Sequence, residues 1–238
     1  MTIRQERSGK ILFLGISEIG EVHVKNGKPN QDAIGFYSLD DSFFLAVSDG
    51  LGSRKSSDIG AQTAVSICND VFSEIVSKQL TFESYIIKRR ILELWETALS
   101  DVDANDYSAT LKVIFLVNNK LIAISIGDGL LFIRAKDDIH TIKNENCNFI
   151  NETLCLSANT VTDNFTVFEI GITDHVFLLI CTDGISNGIS QGREQELFEE
   201  ISASDNFQIL HNEIKNMLIE MSNYNSDDKT IGLVRYGQ

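Results

Sequence analysis

Proline is nearly absent from this chain, with Pro29 alone in 238 residues. Nothing else resembles a linker, and no internal repeat or low-complexity tract interrupts the sequence. Residues 1–238 therefore read as one domain, long enough to bury a substantial core. Cysteine is scarce too. Cys68, Cys147, Cys155 and Cys181 include no C-x-x-C pair, which removes the commonest zinc pattern. Cys68 and Cys181 fall in apolar runs and read as small core residues, and nothing suggests a disulfide framework, so a reducing compartment is the simpler expectation. Positive charge is the third shortage. Twenty Lys and Arg face 34 Asp and Glu, a net charge of −14. Such a chain repels phosphate backbones and anionic lipid, which argues against nucleic acid and membrane as partners. No apolar run reaches membrane-spanning length, and "MTIRQERSGK" is not followed by a signal-type apolar region. A cytoplasmic location is expected.

What the chain does have is a set of apolar strands that stop at acids. Strand patterns occur at 11–17, 33–38, 42–48, 108–117, 120–126, 130–135, 165–170, 175–181 and 230–236. "VNNK" at 117–120 has the look of a tight hairpin turn. Helical spacing runs from Ser57 to about Lys78, where Ile59, Ala64, Ile67, Val71 and Ile75 recur. Further helices are expected over 82–100, 193–202 and 205–222, while 143–164 has no clear pattern. The order is strands, two helices, strands, two helices, strand. That disfavours a doubly wound parallel sheet and favours an α+β fold of antiparallel sheets with helices outside.

Three strands end in Asp-Gly: "FLAVSDG" at Asp49-Gly50, "IAISIGDG" at Asp128-Gly129 and "FLLICTDG" at Asp183-Gly184. A single Asp-Gly reads first as a turn. The repetition argues otherwise, and after Asp49 and Asp183 the chain runs on into loop and helix rather than straight back as a strand. "NQDAIG" also places Asp32 before a strand, and "SDDKTIG" places Asp227 and Asp228 before the last one. Carboxylates gathered at one sheet edge repel, and a cation must neutralise them or one takes up a proton. Mg²⁺ and Mn²⁺ prefer such oxygen ligands, and a two-metal carboxylate site suits phosphate-ester hydrolysis. Other phosphate chemistries lack their signatures. Gly15 and Gly20 have P-loop spacing, but Glu21 stands where Lys is required. No Cys is followed six residues later by Arg, no aspartyl-phosphate strand precedes "DVD" at 101–103, and no His-Arg-Asp kinase loop exists.

"NQDAIG", "FLAVSDGLGS", "GAQTAV", "SAT", "IGDG", "LLICTDGIS" and "SDDKTIG", in that order from about Gly20 to Val234, resemble the metal-dependent serine/threonine phosphatases of the protein phosphatase 2C family, in a bacterial-type form. The resemblance implies a β-sandwich of two antiparallel sheets with helix pairs on both outer faces, four layers in all. It implies two Mg²⁺ or Mn²⁺ ions bridged by Asp49, with Gly50 offering its carbonyl and Asp183 and Asp227 as further ligands. Asp32 would hold the reacting water, and Asp128 with Asp183 would hold a weaker third ion. Asp49 and Asp32 are thus the catalytic pair. A metal-activated water would attack phosphoserine or phosphothreonine with no phosphoenzyme, on a phosphorylated protein substrate, with a cognate Ser/Thr kinase as a further partner. Gln31 stands where Glu is frequent, and Asp228 where Asn is frequent. Leu51 stands where some members carry a general-acid His, which would leave leaving-group protonation to a water at the metal. The usual phosphate-binding Arg is missing, and His23, Lys25 and Lys28 are the substitutes in "GEVHVKNGKPNQD". The alternative is a catalytically impaired phosphatase-like domain that binds a phosphoprotein or a regulatory partner.

Overall fold

The computed structural model describes residues 1–143, 154–204 and 206–237, so Cys147 and the middle of the unpatterned 143–164 stretch lie outside the described residues. Among the described residues, eleven strands pair antiparallel in two sheets. The first runs β1 (Thr2–Ser8), β2 (Ile11–Glu18), β11 (Lys229–Tyr236), β10 (Val176–Cys181), β7 (Leu130–Ala135), β8 (Asp138–Ile142). The second runs β3 (Asp32–Leu39), β4 (Ser42–Asp49), β5 (Leu111–Val117), β6 (Lys120–Ile126), β9 (Thr166–Gly171).

Period-two alternation sends alternate side chains to two different cores. Along β4, Phe43, Leu45 and Val47 point between the sheets, where they meet Phe13, Ile114, Leu131, Leu178 and Val234. Phe44 and Ala46 point outward, against Ile67, Val71 and Phe72 of α2 (Ser57–Val76) and Ile91 and Trp95 of α3 (Ser84–Ala98). The other sheet does the same. Leu14, Phe132, Leu179 and Leu233 face α5 (Glu194–Ala203) and α6 (Phe207–Met221), which supply Phe198, Leu210, Ile214 and Leu218. Both faces of the central strands are buried, so they read as continuous apolar runs rather than as alternating ones. The result is the expected four-layer α-β-β-α sandwich.

The Asn118–Asn119 hairpin is as expected. Both residues have positive φ, 51° and 61°, and Val117 pairs with Lys120 across the turn. The Asp128 loop is not a hairpin. It carries the chain from β6 in one sheet to β7 in the other, with Gly127 and Gly129 at φ 96° and 84°. Elements without an apolar pattern went unanticipated: β1, an exposed edge strand of charged residues, the short β8, the five-residue α1 (Glu21–Lys25) and the four-residue α4 (Asp183–Ser186). The strand expected from 108 starts only at Leu111, because Ser108 O accepts the Leu51 N–H, Ala109 pairs with Leu156 and Thr110 N–H donates to the end of β4 at Asp49.

Gly60 shows how tightly α2 is seated. A Cβ at this position would lie 1.7 Å from the Tyr107 carbonyl oxygen, which is backbone and cannot rotate away. Gly60→Ala gains about 1 kcal/mol of helix propensity but must push the helix off that loop, at about 1–3 kcal/mol for overpacking. A net loss of stability is expected in urea unfolding, against the direction that propensity alone gives.

Candidate active site

The acids meet at one rim of the sandwich because strand ends from both sheets meet there. Asp32 opens β3 and is paired in register with Asp49, the last residue of β4. Asp128 follows β6, Asp183 follows β10, and Asp227 and Asp228 precede β11. The "SAT" segment braces the first of these. Thr110 donates its N–H to the Asp49 carbonyl (2.8 Å) and accepts the Asp49 N–H on Oγ1 (3.0 Å). Leu51 N–H reaches Ser108 O and Gly50 N–H reaches Gln31 O, each at 3.0 Å. The "NQD", "SDG" and "SAT" stretches are therefore one hydrogen-bonded unit. Across the seam, Thr182 Oγ1 donates to Asp32 Oδ2 at 2.8 Å and accepts the Thr230 N–H at 3.0 Å, tying the two sheets together at the acids.

A cavity of about 220 Å³ opens at this rim, lined by His23, Gln31, Asp49, Gly50, Leu51, Gly52, Asp128, Asp183 and Asp227. Larger cavities lie away from the acids and contain none of these residues. One carboxylate oxygen each from Asp49, Asp128 and Asp183 lie within 4.8 Å of one another. Burial, and then the charges of Asp32, Asp183, Asp128 and Asp227, hold the Asp49 carboxyl well above the usual carboxylate range. Burial pushes Asp183 up to about 6, with Asp128 and Asp227 adding to it. Burial likewise pushes Asp32 up to about 7, although hydrogen bonds from Thr182 and Thr230 oppose the shift. These are carboxylates gathered beyond what their own hydrogen bonds stabilise, and a hard divalent cation is the group they fit. The buried Gln31 Oε1 has no hydrogen-bond partner while its Nε2 donates to Ser57 Oγ, leaving one more neutral oxygen at the cavity wall.

The basic candidates separate. His23 lines the cavity, its Nδ1 2.8 Å from Asp228 Oδ2. Lys25 and Lys28 are exposed and do not line it, and Lys25 pairs with Glu21 at 2.6 Å. Asp227 lines the cavity, whereas Asp228 is 2% exposed and accepts backbone N–H bonds from Gly20 and Gln31, both at 2.6 Å.

Lys112 escaped the sequence reading. It lies 2% exposed on β5, and its Nζ donates to the Gly127 and Asp128 carbonyls beneath the acids. Burial lowers its pKa to about 8 against the pull of Asp128, Asp183 and Asp49. The signal was present: a lone lysine in "SATLKVIFLV" is a cation inside a buried strand, and it demands partners. Thr182 was visible only as the hydroxyl residue before Asp183.

Two outcomes follow from these charges. In the metal-free protein the raised carboxyls are protonated in the fold and stabilise it below their unfolded value near 3.8. That contribution is lost as pH rises through about 6 to 7. Melting temperature in chelator should therefore fall toward pH 8, and added Mn²⁺ should raise it more at pH 8 than at pH 5. Lys112→Met should lower metal-free stability by about 1–3 kcal/mol in urea unfolding, because two buried carbonyls lose their donor.

Comparison with known proteins agrees with this fold. The sequence profile of the family described as Protein phosphatase 2C matches residues 19–220. The serine/threonine phosphatase stp of Listeria monocytogenes is 22% identical over 199 residues, covering 71% of this chain and 77% of its own. RsbX in complex with magnesium shares the fold with a TM-score of 0.63 at 18% identity, over 99% of this chain and 100% of that one. The catalytic domain of the serine/threonine protein phosphatase PstP, in complex with two manganese ions, does so with a TM-score of 0.66 at 15% identity, over 96% and 99%. With the profile spanning most of its length and the same fold around the converging acids, the chain belongs to the protein phosphatase 2C family.

Proposed function

We propose that the chain is a divalent-metal-dependent phosphoprotein phosphatase that hydrolyses phosphoserine and phosphothreonine. The observation that carries this reading is the convergence of Asp49, Asp128 and Asp183 oxygens within 4.8 Å, from three strand ends distant in sequence. Asp49, the Gly50 carbonyl, Asp183, Asp227 and Asp128 would together hold the Mg²⁺ or Mn²⁺ ions. Ions bound there would acidify a water and neutralise phosphoryl oxygens, the chemistry that phosphate-ester hydrolysis requires.

The chain's own residues supply the rest. Asp32, held by Thr182 and hydrogen-bonded to Asp49, would orient the reacting water. His23 is the basic group that faces the substrate phosphate, and Lys25 and Lys28 on the exposed rim can only attract it from a distance. A phosphorylated protein reaches a rim cavity of this kind as a loop or tail carrying the phosphate, and a Ser/Thr kinase that installs the phosphate is the matching partner. The impaired-domain alternative is not favoured, since every Asp-Gly acid is retained and the acids converge.

Asp49→Asn and Asp183→Asn should each reduce Mn²⁺-dependent hydrolysis of p-nitrophenyl phosphate and of a phosphothreonine peptide by at least about 100-fold. Far-ultraviolet circular dichroism should be unchanged. Turnover that survives both substitutions, or that survives EDTA in the wild type, would overturn the reading.

A further inference from the structure

We propose that α1 and the loop before β11 form an apolar ledge on which the substrate docks, so that the segment it takes carries an aliphatic or aromatic residue close to the phosphoserine or phosphothreonine. This names the substrate class of the phosphatase site above and rests on that reading.

α1 is a helix whose apolar residues do not pack. The long helices α2, α3 and α6 each bury an apolar face, whereas α1 buries no residue. Its Val22 and Val24 are 47% and 59% exposed. Hydrogen bonds hold the helix in place of packing. At its start the Gly20 N–H donates to Asp228 Oδ1 at 2.6 Å, and His23 Nδ1 lies 2.8 Å from the other oxygen of that carboxylate. Val22 N–H reaches Ser226 O at 3.4 Å. At its end the Asn26 N–H donates to Val22 O (3.1 Å) and the Lys28 N–H to His23 O (2.9 Å). The loop that α1 touches at Ser226 is held as firmly. Asn225 Nδ2 donates to Gly184 O, and Lys229 Nζ donates to the Asn225 and Asp227 carbonyls, each at 2.8 Å. That loop carries Tyr224, 67% exposed, two residues before Ser226.

Apolar side chains exposed singly are ordinary on a protein surface. Position, size and charge make these different. Each of the two segments also supplies a wall of the acid-lined cavity, His23 from α1 and Asp227 from the loop. Val22 and Val24 therefore stand on either side of the residue that faces the phosphate. The cavity, at about 220 Å³, has room for a phosphorylated side chain but not for the chain that bears it. The neighbouring residues of a substrate must lie on the rim. An extended chain advances about 3.3 Å per residue, and the five residues of α1 span about 7.5 Å. Two or three substrate residues beside the phosphorylated one therefore cross the ledge. Glu21 and Lys25 neutralise each other in a 2.6 Å ion pair, so α1 offers those residues hydrocarbon rather than charge. The frame is already fixed by its hydrogen bonds, so docking on it orders little of the protein. Continuity with the cavity assigns the ledge to the substrate rather than to a second copy of the chain.

The test uses phosphothreonine peptides of equal length and charge, with Leu or Ser at the one to three positions on either side of the phosphothreonine. In the wild type with Mn²⁺, kcat/KM should be about 10-fold higher for the better Leu-flanked peptide than for its Ser counterpart, through KM rather than kcat. In the double variant Val22→Ser/Val24→Ser that preference should shrink to within about twofold, since the apolar area is gone. Hydrolysis of p-nitrophenyl phosphate, which has no flanking residues, reads the cavity alone in the same preparations, and melting temperature reports the fold. A wild type that turns over both peptides equally, or a Leu preference that survives in the double variant, would overturn the proposal and leave the phosphatase reading standing. So would a dimer in analytical ultracentrifugation that the double variant abolishes, because a second copy would then cover the ledge. A wild type without Mn²⁺-dependent turnover of any of these substrates removes the phosphatase reading and the proposal together.

Discussion

Mutual repulsion among carboxylates brought out of water is the constraint around which this molecule is built. Asp32, Asp49 and Asp183 all have their pKa values raised, and in each case burial is the first cause and a neighbouring acid adds to it. Left in a flexible loop, such groups would move apart or take up protons. Here they cannot separate, because each is fixed to the end of a strand whose other residues are locked into one of the sandwich's apolar layers. The hydrophobic core thus does electrostatic work at the rim. Burial of Leu45, Val47 and Ile180 at a fixed register sets how close Asp49 and Asp183 come.

The rim has its own scaffolding between the core and the cavity. Thr110 and Ser108 hold the backbone of Asp49 through Leu51, Thr182 bridges Asp32 to β11, and Asp228 ties α1 to β3. Lys112 and Lys229, each almost wholly buried, spend their ammonium groups on backbone carbonyls of the Asp128 and Asp227 loops. Both are cations placed under acids, supplying fixed positive charge from the protein side while the cavity stays open on the other. A site arranged this way is preorganised for cations and does not have to reorganise its ligands when one arrives.

Much of this was legible in the chain. The apolar runs of β4, β5, β6 and β10, the helical spacing of α2 and the hairpin at Asn118–Asn119 are local signals, and the structure contains each. The acids were legible because each stands at an abrupt end of an apolar strand. What was illegible had no local pattern: β1 is charged and exposed, and α1 and α4 are too short to show a period. Asp128 could not be told from a hairpin turn, since the exchange of sheets between β6 and β7 is a property of the partners those strands find.

By itself the sequence determined the kind of chemistry, oxygen ligands on strand ends in a chain with a large excess of acid, because residue type and strand termination are written locally. Tertiary structure alone decided which groups touch. It brought Asp228 to His23 across 205 residues and Thr182 to Asp32 across 150. It also put Lys112 beneath the acids and left Lys25 and Lys28 on the exposed surface. Those contacts depend on strand register and on which strands lie side by side, and both follow from packing the whole sandwich rather than from any one stretch of it.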